Sequence, residues 1–142
     1  MILLDTNVVS EPWKPWPSAQ VLTWLEAQAF NSLYLCTPVL AELRFGAERL
    51  GAGMRRDRLR ALIDRLEQEG YRGRILPLEI ADAAEFGRLA ALRERGGRRM
   101  RSMDALIAAI ALTHRAILAT RDVGDFEGLG LELINPFEFS GA

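Results

Sequence analysis

The chain has 142 residues, 49% of them hydrophobic, which is enough for one domain with a sizeable buried core. Its 18 basic and 19 acidic residues give a net charge of −1, which excludes a global electrostatic attraction to nucleic acid or to an anionic membrane. One cysteine and one histidine exclude an internal disulfide and a Cys/His zinc site. Because no apolar run is long enough to span a membrane, we expect a cytoplasmic protein with a single domain over residues 1–142.

Five short apolar runs predict β-strands, and longer segments with helical periodicity separate them. In chain order, the predicted strands cover residues 2–4, 33–36, 74–76, 116–119 and 131–134. Strands that alternate with helices are typical of a mostly parallel sheet covered on both faces. The sequence therefore predicts an α/β fold, a three-layer α/β/α domain around a mostly parallel five-stranded central sheet.

Three of the helical segments have recognisable features. Thr37 and Pro38 predict an N-cap followed by proline at the first helical position, directly after the second strand. In residues 58–68 the apolar side chains recur with helical spacing, which predicts a helix that packs by one face. Ser102 is the predicted N-cap of a helix that runs to about His114, and residues 105–112 are apolar on every side. We expect that last helix to be buried in the centre of the fold.

Acidic residues follow two of the predicted strands and begin two of the helices. Asp5 follows the first strand, Asp122 follows the fourth, and Asp125 comes three residues later. Ligands of open parallel sheets bind outside the carboxyl ends of the strands, so these positions are candidate binding residues. Glu42 lies in the opening turns of the helix after the second strand, beside its apolar face, and Asp104 stands at the start of the apolar helix. We expect these carboxylates to converge.

Carboxylates that converge repel one another, and burying them is costly unless a proton or a cation compensates their charge. A divalent cation is the natural compensator. Ligation by oxygen alone suits magnesium or manganese, whereas zinc and copper sites usually recruit nitrogen or sulfur ligands, which this chain can hardly supply. The sequence therefore predicts a site for Mg²⁺ or Mn²⁺.

Four motifs in this order resemble PIN domains of the VapC type. The motifs are LLDTN at residues 3–7, AEL at 41–43 with Gly46, MDALIAA at 103–109, and TRD at 120–122 before Phe126. The opening MILLDTNVVSEP, the stretch GRILP at residues 73–77 and the closing Asn135-Pro136 are similar to the FitB-like branch of that family. The resemblance runs over nearly the whole chain.

The resemblance implies a Mg²⁺- or Mn²⁺-dependent endoribonuclease that is the toxin of a type II toxin–antitoxin system. It also implies a cognate antitoxin protein as partner, a homodimer, and binding of the toxin–antitoxin complex to its own promoter DNA. Matched by position, the family's acidic quartet is Asp5, Glu42, Asp104 and Asp122. Asp125 stands where many relatives are acidic, so the fourth ligand is either Asp122 or Asp125. Thr6, Asn7 and Thr120 are expected to hold the carboxylates by hydrogen bonds.

We assign Asp5 and Asp104 as principal metal ligands, and Asp122 or Asp125 as a further ligand, bound directly or through water. Glu42 is assigned to orienting or deprotonating the attacking water. The expected substrate is single-stranded or loop RNA. An arginine run before the apolar helix is predicted either to hold the RNA phosphates or to form a partner surface, and it consists of Arg93, Arg95, Arg98, Arg99 and Arg101.

Other conspicuous residues have simpler interpretations. His114 is interpreted as a hydrogen-bonded residue of the core or of a helix end, and Cys36 as a packing residue, not a nucleophile. Trp13, Trp16 and Trp24 either stack on RNA bases or anchor the antitoxin or a second subunit, and we favour the anchoring role.

Two competing functions remain open at this point. One is a PIN-fold binding module that acts mainly with its antitoxin on promoter DNA. The other is a metal-dependent hydrolase of DNA or of a small phosphorylated substrate, since the same acidic cluster would hydrolyse any suitably presented phosphodiester.

Overall fold

A five-stranded, all-parallel β-sheet forms the centre of the structure, a computed structural model that describes residues 1–141. Its strands are β1 (Ile2–Leu4), β2 (Leu33–Cys36), β3 (Ile75–Leu76), β4 (Ile117–Ala119) and β5 (Leu133–Ile134), arranged in the order β3-β2-β1-β4-β5. All five predicted strands are confirmed, and the last three begin one or two residues later than predicted. The predicted domain extends to Ala142, which lies outside the described residues.

Helices connect the strands. They are α1 (Thr6–Val9), α2 (Ala19–Ala27), α3 (Thr37–Glu48), α4 (Met54–Arg65), α5 (Ile80–Arg95), α6 (Ser102–Thr113) and α7 (Val123–Phe126). A π-helical turn (Leu66–Gly70) continues α4, and short 3₁₀ turns occur at Glu11–Trp13, Phe30–Ser32 and Pro136–Glu138. Of these segments, α5 and α6 make the most extensive helix–helix contact. No helix within residues 1–141 is both long and apolar enough to cross a bilayer.

The burial of the central strands shows that both faces of the sheet are covered. Leu3 and Leu4 are neighbours in β1, so their side chains point to opposite faces, and both are fully buried. The same holds for Leu118 and Ala119 in β4. The three-layer prediction is therefore confirmed. The predicted central helix is α6, whose residues 107–111 are all fully buried.

The register brings the carboxyl ends of three strands to one edge. Ile2 of β1 pairs with Leu33 of β2 on one side and with Ile117 of β4 on the other. The pairing continues past the strands, because the Asp5 amide donates a 2.9 Å hydrogen bond to the Ala119 carbonyl. Segments that follow β1, β2 and β4 therefore begin side by side at this edge.

Three local predictions were wrong. Ser102 is the first helical residue of α6, and the N-cap is Arg101, whose side chain makes no capping hydrogen bond. Thr37 is likewise the first residue of α3 instead of its N-cap, and its hydroxyl accepts a 3.2 Å hydrogen bond from the Leu78 amide. Trp24 is no surface anchor, because it is only 1% exposed and belongs to the core.

Candidate active site

Asp5 is a buried carboxylate at the end of β1. It is 4% exposed, its Oδ1 accepts a 2.8 Å hydrogen bond from the Thr6 amide, and its Oδ2 accepts a 2.7 Å bond from the Thr120 hydroxyl. Burial nevertheless raises the pKa of Asp5, and the charges of Glu42 and Asp122 add to the rise. Asp5 is therefore a carboxylate whose ionised form lacks a compensating cation.

The Asn7 side chain joins Asp5 to the segment that follows β4. Its Nδ2 lies 3.0 Å from Asp122 Oδ2 and 3.5 Å from Asp5 Oδ2, while its Oδ1 accepts a 3.2 Å hydrogen bond from the Arg121 amide. The Thr120 hydroxyl also accepts a 3.0 Å bond from the Asp122 amide. One amide and one hydroxyl thus fix the two carboxylates relative to each other, as we expected for Asn7 and Thr120.

Glu42 projects from α3, the helix that follows β2. The Thr6 hydroxyl donates a 2.7 Å hydrogen bond to Glu42 Oε1, and Arg101 Nη2 donates a 3.0 Å bond to Oε2. The Glu42 side chain is 20% exposed, so it lies beside the core without facing fully into water, as predicted. Thr6 follows Asp5 directly, and this places Glu42 next to the end of β1.

Asp104, in the first turn of α6, has the most strongly raised carboxyl pKa of the site. The residue is 9% exposed, and burial is the main reason why its pKa rises from 3.8 to about 6. The negative charges of Asp5, Glu42 and Asp125 raise it further, whereas Arg101, whose Nε lies 4.0 Å from Asp104 Oδ2, lowers it. Asp104, Glu42 and Asp5 in turn raise the pKa of the Arg101 guanidinium, Asp104 most of all.

Two arginines of the run, which was predicted either to hold RNA phosphates or to form a partner surface, make contacts within the chain. Arg98 Nη2 donates a 2.8 Å bond to the Gly124 carbonyl and lies 4.0 Å from Asp125 Oδ1, and Arg93 Nη2 donates a 3.0 Å bond to the Asp125 carbonyl. These two arginines hold the segment that contains α7. A cavity of about 110 Å³ lies beside them, lined also by Arg99, Met100, Arg101 and Asp104.

Four of the five predicted acids share hydrogen-bond or ion-pair partners at one edge, and the fifth, Asp125, lies in the neighbouring helix α7. Asp5 and Asp122 share Asn7, Glu42 and Asp104 share Arg101, and the charge of Asp125 reaches Asp104. Within the described part of the chain, however, no three Asp, Glu, His or Cys side chains are positioned to hold a metal ion together as they stand.

The remaining candidates have structural roles. Cys36 is fully buried, and burial raises the pKa of its thiol to about 12, so it is no nucleophile at neutral pH. His114 is the C-terminal cap of α6, and its amide donates to the Ile110 carbonyl. Both interpretations from the sequence hold.

Sequence reasoning missed the ion pairs of Arg101 with the acidic side chains. Arg101 stands three residues before Asp104, a spacing that brings two side chains together at a helix start, and this was the available signal. Its contact with Glu42, which is 59 residues away in the chain, had no such signal.

A groove of about 670 Å³ opens next to the acidic side chains. Glu42 and Arg101 are among its lining residues, together with the apolar residues Trp13, Phe45 and Leu50. Phe45 is 65% exposed and Leu50 is 40% exposed. Its basic lining residues are Lys14, Arg49, Arg55 and Arg101. Trp16, at 92% exposure, is not among the lining residues.

Comparison with known families and proteins gives consistent matches. The family model described as PIN domain matches residues 2–129. Plasmid stability protein StbB of Pseudomonas syringae pv. tomato is 43% identical over 138 residues, covering 97% of this chain and 99% of that protein. VapC ribonuclease Y4jK of Sinorhizobium fredii is 42% identical over 141 residues, with coverages of 97% and 99%. Toxin FitB of Neisseria gonorrhoeae is 37% identical over 140 residues, with coverages of 96% and 99%.

Solved structures agree with this fold. The crystal structure of FitAcB from Neisseria gonorrhoeae has a TM-score of 0.86 at 37% identity and covers 98% of this chain and 100% of that chain. The crystal structure of VapBC2 from Rickettsia felis, bound to a DNA fragment from their promoter, has a TM-score of 0.78 at 26% identity, with coverages of 95% and 98%.

Proposed function

The chain belongs to the PIN-domain family, and from that membership we propose that it is a metal-dependent endoribonuclease and the toxin of a toxin–antitoxin pair. Two relatives matched over nearly their full length support the proposal, since one is named a VapC ribonuclease and another a toxin. The observation that carries it is the set of shared contacts at the carboxyl edge of the sheet. There the Asn7 amide joins Asp5 to Asp122, and the Arg101 guanidinium joins Glu42 to Asp104.

The acidic side chains suit Mg²⁺ or Mn²⁺, because they offer only oxygen ligands and include two carboxylates that burial leaves poorly compensated. We propose Asp5 and Asp104 as the principal ligands. Asp122 shares the Asn7 amide with Asp5, which favours it as the further ligand, whereas Asp125 is better suited to a contact through water. When bound, the ion supplies an activated water and stabilises negative charge on the phosphoryl oxygens.

The other residues of the site orient these groups. Glu42 accepts a hydrogen bond from the Thr6 hydroxyl at one oxygen, so its other oxygen, now paired with Arg101, can orient or deprotonate the attacking water. The Thr120 hydroxyl holds Asp5, and the Asn7 amide keeps Asp122 beside it. An RNA phosphate enters between the acids and the flanking arginines, where its charge is attracted locally although the whole chain is nearly neutral.

The groove beside Glu42 is the proposed docking surface of the antitoxin. Its exposed apolar walls require a covering partner, and its basic lining fits a partner segment with acidic residues. Because Glu42 and Arg101 line the groove, a segment seated in it also covers these two side chains. Such a segment would neutralise the toxin by occlusion, with Trp13 as an anchor. Promoter binding by the complex follows from the similarity to DNA-bound VapBC2.

We also propose that the chain forms a single domain over residues 1–142, that it works in the cytoplasm, and that the toxin is a homodimer. Size-exclusion chromatography with light scattering measures the last of these directly on the protein freed of antitoxin.

The deciding experiment compares Asp5→Asn with Asp57→Asn, which makes the same chemical change at an exposed position of α4. Each purified, antitoxin-free protein is given labelled RNA and DNA of the same sequence with Mg²⁺, Mn²⁺ or EDTA. We expect the unaltered chain and Asp57→Asn to cleave RNA only with metal, and Asp5→Asn to lose at least about a hundredfold in rate. Cleavage in EDTA, or equal cleavage by all three proteins, contradicts the mechanism. Cleavage of DNA alone means that the substrate is DNA and not RNA.

A growth assay tests the toxin role. We expect expression without antitoxin to arrest growth for the unaltered chain and for Asp57→Asn but not for Asp5→Asn. If all three are equally harmless, the chain is a binding module and not a nuclease toxin.

A further inference from the structure

Arg101 occupies a distinctive position, because its guanidinium lies between two of the acidic side chains. Its Nη2 is 3.0 Å from Glu42 Oε2, and its Nε is 4.0 Å from Asp104 Oδ2. Within residues 1–141, no other basic side chain lies within 4.0 Å of the carboxylates of the acidic quartet. Arg101 is therefore their one close internal counter-charge in the described chain.

A guanidinium and a divalent cation compete for such oxygens. Both require the lone pairs of the same carboxylates, and two cations only a few ångströms apart repel each other strongly in a partly buried site. Glu42 and Asp104 cannot serve Arg101 and a metal ion fully at the same time. Tighter pairing of these acids with Arg101 therefore weakens their binding of the metal ion, and the reverse also holds.

The contact is also easy to break. The Arg101 side chain is 70% exposed, and as the N-cap of α6 it makes no capping hydrogen bond that would fix it. Because the guanidinium is itself exposed, it can leave the acids without becoming a buried unpaired charge, whereas the acids, 20% and 12% exposed, then need another cation. Arg101 lines both the groove at Trp13 and the small cavity at Asp125, so it remains beside the site after leaving.

We propose that Arg101 is an internal competitor of the divalent cation: it pairs with Glu42 and Asp104 when the cation is absent and turns to the substrate phosphate when the cation binds. The inference rests on the proposed nuclease site and adds a regulation of its metal loading. It couples the two binding steps, because metal binding frees a cationic side chain for the anionic RNA.

The test measures metal affinity directly. Mn²⁺ is titrated calorimetrically into the antitoxin-free chain and into Arg101→Gln, with Arg58→Gln as the matched control that loses the same charge at an exposed position of α4. We expect Arg101→Gln to bind Mn²⁺ about five- to tenfold more tightly and Arg58→Gln to change by less than about twofold. We also expect the KM for RNA to rise in Arg101→Gln.

Two further measurements keep the outcome decisive. In Arg101→Lys the compact ammonium retains the charge but lacks the planar guanidinium. Its Mn²⁺ affinity should therefore lie between those of the unaltered chain and Arg101→Gln. In the unaltered chain, the Arg101 Nε–H resonance should shift as Mg²⁺ is titrated into the sample.

Unchanged or weaker Mn²⁺ binding by Arg101→Gln, or an Arg101 resonance that ignores Mg²⁺, overturns the competition. Absence of Mn²⁺ binding by the unaltered chain overturns the competition together with the metal-dependent mechanism. If Arg101→Gln tightens Mn²⁺ binding but no variant cleaves RNA, the competition stands and the nuclease proposal fails.

Discussion

Replacing Asp104 by asparagine should stabilise the protein in the presence of a chelator at neutral pH, although it removes a proposed metal ligand. The carboxyl is 9% exposed, and burial is the largest reason why its pKa rises from 3.8 to about 6. Since each tenfold change in proton affinity is worth about 1.4 kcal/mol, ionising this group in the folded chain costs about 3 kcal/mol more than in the unfolded chain. Asparagine has a similar shape and carries no charge.

The pH dependence gives the sign of the effect. The folded pKa lies above the unfolded one, so the cost is absent below pH 3.8 and fully present above about pH 6. The stability of the unaltered chain should fall across this window, and the advantage of Asp104→Asn should grow from nothing to about 2–3 kcal/mol. The attraction to Arg101, 4.0 Å away, is already contained in this pKa, because the guanidinium lowers it.

Urea unfolding in EDTA at pH 4.5, 6 and 7.5 measures this advantage. Asp125→Asn serves as control, because its side chain is 58% exposed and we expect a change within about 0.5 kcal/mol at each pH. With Mn²⁺ at a hundred times its dissociation constant, the unaltered chain should gain about 2.7 kcal/mol and Asp104→Asn almost nothing. A destabilised Asp104→Asn at pH 7.5, or an advantage that ignores pH, refutes the claim that the carboxylate is poorly compensated.

Two other substitutions test the second layer of contacts and the partner surface. Thr120→Val removes the hydroxyl that donates to Asp5 Oδ2 at 2.7 Å, so Mn²⁺ affinity measured by calorimetry should fall about 10- to 100-fold, and an unchanged affinity would mean that this hydroxyl positions nothing. Phe45→Glu places a charge on the exposed groove wall and should weaken antitoxin binding in a pull-down titration by at least about tenfold, while free toxin keeps its RNA cleavage. Leu92→Glu, which alters an exposed leucine outside the groove, is its control, and equal binding by both variants would move the docking surface elsewhere.

Much of the fold could be predicted because the strands of a sheet covered on both faces are continuous apolar runs. Residues 2–4 and 33–36 have no polar alternation to confuse their boundaries, and both predictions match the structure. The all-round apolar segment 105–112 likewise left burial as the only stable outcome for α6. Strand ends were less predictable, since Arg74 and Ala116 are compatible with a strand but remain outside the paired register.

The position of each acid could be predicted, but not its environment. Position follows from topology, because Asp5 and Asp122 come after parallel strands whose ends meet. The contacts depend on side chains that are distant in the chain but converge in three dimensions. Thr6 and Glu42 are 36 residues apart, and Asn7 and Asp122 are 115 residues apart. Trp24 shows the same limit, since its position on the predicted helix after the loop did not reveal that its side chain faces the core.

The near-zero net charge of the chain also conceals the electrostatics that matter. An acidic edge by itself would repel RNA, so a nuclease built on it needs positive charge close by, within about one Debye length of 8–10 Å. Arg93 and Arg98 supply it from one side while they hold the α7 segment, and Arg101 supplies it from within the site. These arginines are bound to the same elements that carry the acids. The groups that attract phosphate and the carboxylates that repel it are therefore held in fixed positions relative to each other. Local segregation of charge, not its sum, therefore determines whether an anionic strand can approach the proposed metal ligands.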